Sequence, residues 1–426
     1  MKLEEKISEV LKEGYVCDSC LGRDIAGQLL SGLTNEQRGK ILRNFLAFLL
    51  DSGEKVEIDS SNFYGIKFRN TKLEIKQPGK CRICRNFFSE QIDQFTENII
   101  KRLDKIEFET FLVGSVPTDE MGKEEEKIFE KIGIEFAETV KSEINREIGK
   151  RVEKLTGKRF NLKNPDVVIL ANLMTNSAKL QIKSLYVYGR YQKLSRGIPQ
   201  SKWTCSRCHG KGCVECKGKG KLYPISVQEI IEKPLLKKTK AKSSAFHGAG
   251  REDIDARMLD YRPFVIELIK PIKRKINLKE ILKEINKSKK VKVRNLKFTD
   301  KQIVRKIKSE RWDKTYLAEV KFKKPIDKKK LKLLKGLRRE IISQRTPIRV
   351  AHRRADKLRK RRIKEISWKM LDKKTLRIKI RSDAGLYIKE LINGDEGRTK
   401  PNISEMLDNK VKKISLDVVK IHTKGV

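Results

Sequence analysis

Three residue patterns in this chain have the composition and spacing for chemistry. The first is Ser244-Ala-Phe-His-Gly-Ala-Gly-Arg-Glu-Asp-Ile-Asp-Ala-Arg-Met-Leu259, which gathers Arg251, Glu252, Asp253 and Asp255 close to His247. A carboxylate beside cations does nucleophilic or electrostatic work when its position is held accurately. Gly248 and Gly250 free the backbone for a tight turn at positive φ, and the run Pro263-Phe-Val-Ile-Glu-Leu-Ile269 reads as a strand that backs it. On composition alone the same residues make a solvated surface turn.

The second pattern is the cysteines. All 8 fall into four C-x-x-C pairs: Cys17/Cys20, Cys81/Cys84, Cys205/Cys208 and Cys213/Cys216. Each pair is half of a tetrahedral site, so two pairs must meet, and four thiolates leave no open position for catalysis. The run Cys205-Ser-Arg-Cys208-His-Gly-Lys-Gly-Cys213-Val-Glu-Cys216 has the tightest spacing. It reads as a knuckle around one structural Zn²⁺, made basic by Lys211, Lys217, Lys219 and Lys221, with His209 as a neighbour. Pairing Cys17/Cys20 with Cys81/Cys84 closes a second zinc-stapled unit; a redox pair is the other reading.

The third pattern is positive charge. Lys and Arg number 100 against 56 Asp and Glu, a net charge of +44 over 426 residues. A surplus of that size calls for a polyanionic partner. From Arg353 to Arg362 seven basic residues face one acid, Asp356, and this strip reads as tracking phosphates. In Gly189-Arg-Tyr-Gln-Lys-Leu-Ser-Arg196 aromatic and basic residues interleave, so that rings can stack on bases while cations meet phosphates. Tyr186 and Tyr188 read equally well as sheet packing. No signal peptide, membrane span or lipid anchor is expected, which points to a soluble cytoplasmic protein. No Walker loop is present, and Gly248-x-Gly250 lacks the third glycine of a dinucleotide fingerprint.

The elements that must position these residues follow from periodicity. Helices are expected at 2–13, at 35–51 capped by Thr34 with Ile41, Leu42, Phe45, Leu46 and Leu49 inward, and at 124–151. Short strands and turns are expected over 56–76, and strands at 111–116, 166–173 and 181–188. Further along, helices at 227–236, 278–286 and 301–311 alternate with strands at 263–270, 291–299 and 315–323. The run Thr375-Leu-Arg-Ile-Lys-Ile-Arg381 alternates strictly and reads as a strand with Leu376, Ile378 and Ile380 inward. It leads into a strand–turn–helix unit ending at Ile392.

Several stretches together resemble the archaeal tRNA pseudouridine synthases of the Pus-ten (Pus10) family. They are His247 to Leu259 followed by Arg262-Pro-Phe-Val-Ile-Glu267, Tyr191 to Trp203, Gln344 to Asp356, and Ala384-Gly-Leu-Tyr-Ile-Lys-Glu390. The resemblance spans essentially the whole chain. It implies an α+β protein, with a zinc-binding and THUMP-like RNA-binding region followed by a pseudouridine synthase mixed-sheet catalytic domain. The expected divisions are 1–93 for the zinc-stapled segment, 94–222 for the THUMP-like domain with its knuckle, and 223–426 for the synthase domain. In one departure, Asp260-Tyr261 stands where the family is expected to carry a Gly-x-Gly turn.

By the same resemblance the substrate is uridine 54, 55 or both in the TΨC loop of tRNA, isomerised without a cofactor, with Zn²⁺ structural only. Asp253 is the expected nucleophile, with Asp255 as the fallback. Tyr316 resembles the active-site tyrosine that stacks on the flipped base and can act as a base at C2′. Lys389 resembles the cation that pairs with the aspartate, and Ile388 and Leu416 the apolar walls that keep the pocket dry. Arg251, Arg353 and Arg354 are the expected substrate-binding cations. The expected partner is tRNA, with no membrane and no DNA, and the enzyme is expected as a monomer. The alternative is a non-catalytic binder of structured RNA; a zinc-ribbon DNA-binding protein is a third reading.

Overall fold

The computed structural model describes residues 1–352 and 354–423. Tertiary contacts divide the chain into two compact units, Met1–Lys183 and Ser184–Val426.

The first unit contains helices α1 (Leu3–Leu11), α2 (Asp18–Ala26), α3 (Asn35–Asp51), α4 (Ile92–Leu103), α5 (Asp119–Ile132) and α6 (Val140–Thr156). Its sheet comprises β1 (Thr110–Val116), β2 (Arg159–Phe160), β3 (Val167–Asn172) and β4 (Ser177–Ile182), in the order β2-β1-β3-β4. The expected helix at 35–51 forms, opened by a reciprocal capping box between Thr34 and Gln37. Its inward face differs from expectation, because Ile41 is 53% and Phe45 38% exposed. The cause is backbone contact with α2: a Cβ on Gly39 would lie 1.9 Å from the Asp18 carbonyl oxygen, and one on Gly22 1.9 Å from that of Asn35. Buried Arg43 then faces inward, donating to Asp18 and to the carbonyls of Val16 and Asn62. The expected helix at 124–151 is two helices, because Gly133 at φ +79° ends α5 and Thr139 caps α6. Over 56–76 the described residues hold a 3-10 turn at Ser60–Phe63 and no strand. One buried core runs from Ile7 to Ala178, so the segment 1–93 shares its interior with the sheet that follows.

The second unit is built on a ten-stranded mixed sheet. In chain order its elements are β5 (Leu185–Lys193), α7 (Val227–Thr239), β6 (Ser243–Gly248), β7 (Arg257–Ile269), α8 (Leu278–Ile285), β8 (Val291–Thr299), α9 (Lys301–Ser309), β9 (Lys314–Phe322) and β10 (Ile341–Gln344). Then come α10 (Ile348–Ala351), β11 (Arg359–Met370), β12 (Thr375–Ser382), α11 (Ile388–Asn393), β13 (Thr399–Lys400), α12 (Ile403–Met406) and β14 (Val411–Ile421). The order is β13-β10-β11-β12-β9-β14-β7-β5-β8, with β6 paired to β7. β12 shows the expected alternation, with Leu376, Ile378 and Ile380 fully buried.

The division between units falls at 183/184 rather than at 222/223. β5 pairs with both β7 and β8 and therefore belongs to the larger sheet, and the expected strand at 181–188 is shared between β4 and β5. The knuckle cysteines follow β5, on a loop closed by a Thr204–Lys221 bridge. At Asp260-Tyr261 there is no turn, because β7 runs straight through. Asp260 accepts from the Ile421 amide at 2.8 Å, and Arg294 lies 3.9 Å from the centre of the Tyr261 ring. No helix among the described residues is long and apolar enough to cross a membrane.

Candidate active site

The loop between β6 and β7 carries Asp253, and it is held almost entirely through its peptide carbonyls. Buried Arg262 donates to Ala249 O at 2.8 Å, and Gln200 to Gly250 O at 2.9 Å. The Lys193 ammonium, fully buried, donates to Asp253 O at 2.9 Å, Ile254 O at 3.2 Å and Ile198 O at 3.0 Å. Arg196 takes Asp255 O at 2.6 Å. Glu252 turns inward to accept from the Tyr191 hydroxyl at 2.9 Å and to pair with Arg262 at 3.1 Å. Tyr191 and Lys193, expected to face RNA, are thus interior supports of this loop, and Tyr186 and Tyr188 are buried in the sheet. Gly250 takes the expected positive φ, at +75°. Gly248 serves close approach instead, since a Cβ there would meet Gln200 Nε2 at 2.7 Å. His247 points away to Glu267, at 3.1 Å.

The supported loop forms one wall of a cavity of about 550 Å³. Asp253, Arg251, Tyr316, Ile388, Lys389, Leu416 and Arg354 all line it, so the structure gathers most of the residues singled out from sequence. Arg353 lies outside the described residues. Asp255 does not line the cavity; its carboxylate holds Lys389, with both oxygens 2.8 Å from Nζ. Lys389 reaches Asp253 at 3.4 Å, whereas Arg349 reaches it at 2.9 Å and also binds buried Glu390 at 2.6 Å. Arg349 is therefore the nearer cation. Sequence reading missed it: it falls in the Gln344–Asp356 stretch, just ahead of the strip read as phosphate-tracking, with nothing local to set it apart from the cations around it.

Charge and burial set the protonation states. Burial opposes ionisation of Asp253, but Arg349 and then Lys389 outweigh it and hold the carboxyl below its usual range. Burial pushes the Tyr316 phenol up to about 12, with Arg262 opposing. At neutral pH the site thus presents an ionised aspartate, a neutral phenol and a rim of arginines. Ile388 and Leu416 add apolar surface beside them.

Each cysteine set brings four sulfurs within 4.8 Å of one another: Cys17, Cys20, Cys81 and Cys84 in the first unit, and Cys205, Cys208, Cys213 and Cys216 in the second. A tetrahedron of Zn–S bonds of ~2.3 Å has edges of roughly 3.8 Å. The observed sulfur separations match it: Cys17–Cys84 is 3.6 Å, Cys205–Cys213 3.8 Å and Cys208–Cys216 3.7 Å. Backbone amides also point at the sulfurs, Gly212 N at Cys208 and Gly220 N at Cys216, each at 3.2 Å, as thiolates require.

A rigidly mounted, ionised carboxylate facing a cation-rimmed cavity in a mixed sheet is suited to nucleophilic or electrostatic work on a polyanionic substrate, as in the class of RNA-modifying enzymes. Comparison with known proteins agrees. The family "Pus10, C-terminal" matches residues 186–422, and "Pus10 THUMP domain, archaeal" matches 95–172. A protein of Methanopyrus kandleri named tRNA pseudouridine synthase Pus10 is 42% identical, covering 99% of each chain. Namesakes from Methanothrix thermoacetophila and Methanocaldococcus jannaschii are 39% and 41% identical, each alignment covering 97% of this chain and 93% of the relative. This chain belongs to the Pus10 family of tRNA pseudouridine synthases.

Proposed function

We propose that this chain isomerises uridine to pseudouridine in the TΨC loop of tRNA, at position 54, 55 or both, with Asp253 as the attacking carboxylate. The observation that carries the reading is Asp253 itself, ionised between Arg349 and Lys389 on the wall of a cavity shared with Tyr316. At about 550 Å³ the cavity falls within the roughly 300–1,000 Å³ of small-molecule clefts, which suits one flipped nucleotide.

Substrate and product are isomers, so the reaction needs no oxidant, reductant or group donor. The Asp253 oxygen attacks C1′ as the N1–C1′ bond breaks. The freed base rotates, its C5 bonds to C1′ as the carboxylate leaves again, and C5 then loses its proton while N1 gains one, so that substrate and product balance. Arg349 holds the carboxylate ionised, and Lys389 orients its second oxygen. Tyr316 offers its ring for stacking. A phenol at about 12 is almost wholly protonated at neutral pH, which favours stacking over proton abstraction at C2′. Arg251, Arg354, Arg311 and Arg361 line the same cavity and suit the phosphates flanking the flipped nucleotide. Zn²⁺ held by each cysteine set would cross-link its loops and take no part in the reaction.

The test is to incubate the purified protein with unmodified tRNA transcript, without added cofactor, and map pseudouridine at base resolution. Product confined to the T-loop and abolished by Asp253→Asn supports the assignment. Tight tRNA binding without product would favour a non-catalytic RNA-binding protein.

A further inference from the structure

Lys314 is a further cation in the cavity, and nothing in the reaction as described above uses it. It begins β9, two residues before Tyr316, so both side chains leave the same face of the strand. Its Nζ lies against the catalytic loop, 3.3 Å from where a Cβ on Gly250 would stand, and it lines the cavity. The neighbouring cations are engaged: Arg349 by Asp253 and Glu390, Lys389 by Asp255, Arg262 by Glu252. The backbone of Lys314 is paired in the sheet, but among the described residues its ammonium makes no hydrogen bond and no ion pair. Burial and then Arg262 lower it to about 8, with Glu252 partly offsetting, so it remains an ammonium at neutral pH.

Resting on the proposed reaction, we propose that the Lys314 ammonium contacts the flipped uracil and stabilises the negative charge the base acquires when its N1–C1′ bond breaks. The bonding pair leaves with the base and spreads over N1 and the adjacent carbonyl oxygens. Lys314 stands two residues from Tyr316 on the same face of the strand, within reach of the polar edge of a base stacked on that ring. The ammonium donates a hydrogen bond and keeps its proton throughout. A fixed charge aimed at an atom that becomes anionic only in the transition state accelerates the step without tightening ground-state binding.

The experiment uses the full-length protein and T-loop uridine transcripts, comparing wild type, Lys314→Met and Lys314→Arg. It measures tRNA Kd and, separately, the single-turnover rate at saturating enzyme. The expected result for Lys314→Met is a rate loss of about 10²–10³-fold with Kd nearly unchanged, which also certifies that the site is folded. Lys314→Arg should recover part of the rate. Transcripts carrying 5-fluorouridine, whose base is a more stable anion, should show a smaller defect when loss of the nucleoside is followed. If Lys314→Met proves unstable, the defect of Lys314→Arg on uridine relative to 5-fluorouridine is read in the same way. A weakened Kd with an unchanged saturating rate would mean a phosphate contact and overturn the inference, as would equal defects on both bases. A wild type that makes no pseudouridine would instead overturn the proposed reaction, and this inference with it.

Discussion

Lys193→Met tests whether the loop that carries Asp253 is held as described. The ammonium is fully buried and gives its three protons to the carbonyls of Ile198, Asp253 and Ile254, with Glu252 3.9 Å away. Methionine has nearly the same length and leaves little cavity, so packing is almost conserved and the polar loss dominates. Hydrogen bonds to a charged group contribute about 1.5–3 kcal/mol each. Three sharing one nitrogen are not additive, and removing one partner of a buried ionic cluster costs about 3–5 kcal/mol. We expect a loss in that range, a large part of the roughly 5–15 kcal/mol by which domains are stable. All 3 tryptophans, Trp203, Trp312 and Trp368, lie in the Ser184–Val426 unit, so tryptophan fluorescence in guanidinium reports that unit's unfolding separately. The midpoint should fall by about 1 M, taking a guanidinium slope of roughly 3–5 kcal/mol/M. Lys193→Arg should not rescue, because a planar guanidinium cannot follow three converging carbonyls. A loss under about 1 kcal/mol would refute the view that this ammonium anchors the loop.

Three other outcomes are expected. Arg349→Met removes the nearer cation from Asp253, so its pKa rises; the acid limb of kcat/KM, below the ordinary 3.8 in the wild type, should move to higher pH as the rate at pH 7 falls about 100-fold, and an unmoved limb would refute the pairing. Asp255→Asn should keep most activity, within about tenfold of wild type on the strength of an exposed ion pair, in contrast to Asp253→Asn; single-turnover rates decide this, and abolition would promote Asp255 to nucleophile. Metal analysis by native mass spectrometry should find two zinc ions per chain, Cys20→Ser and Cys213→Ser each removing one, with proteolysis enhanced in Met1–Lys183 for the former and around residues 205–216 for the latter; a single ion in the wild type would refute one of the two sites.

What was legible in the sequence was what is local. Strict alternation in Leu376, Ile378 and Ile380 reports a strand with one buried face, and Thr34 with Gln37 reports a helix start, because both signals lie within a few residues. The tight spacing of Cys205, Cys208, Cys213 and Cys216 likewise indicated a shared site, whereas the sharing of one site by Cys17/Cys20 and Cys81/Cys84, distant in sequence, was left open there and comes from the fold. The inward face of α3 was not legible, because Gly22 and Gly39 draw two backbones together and the helix turns its arginines, not all its apolar residues, inward. The position of Asp253 was readable from its motif, but not its support, since Lys193, Gln200 and Arg262 differ in nothing local from solvated residues. Arg349 was hidden by company: among many exposed cations, the one turned to a carboxylate carries no mark of its own.

The grip of Arg262, Gln200, Lys193 and Arg196 on the carbonyls of residues 249, 250, 253, 254 and 255 has a practical corollary. A scaffold that holds peptide groups is blind to the identity of the side chain they bear. The loop is therefore a socket into which position 253 can be recast without refolding its surroundings. An inert residue placed there should capture the flipped uridine in the geometry that precedes bond cleavage, making such a variant a faithful trap for visualising the bound nucleic acid.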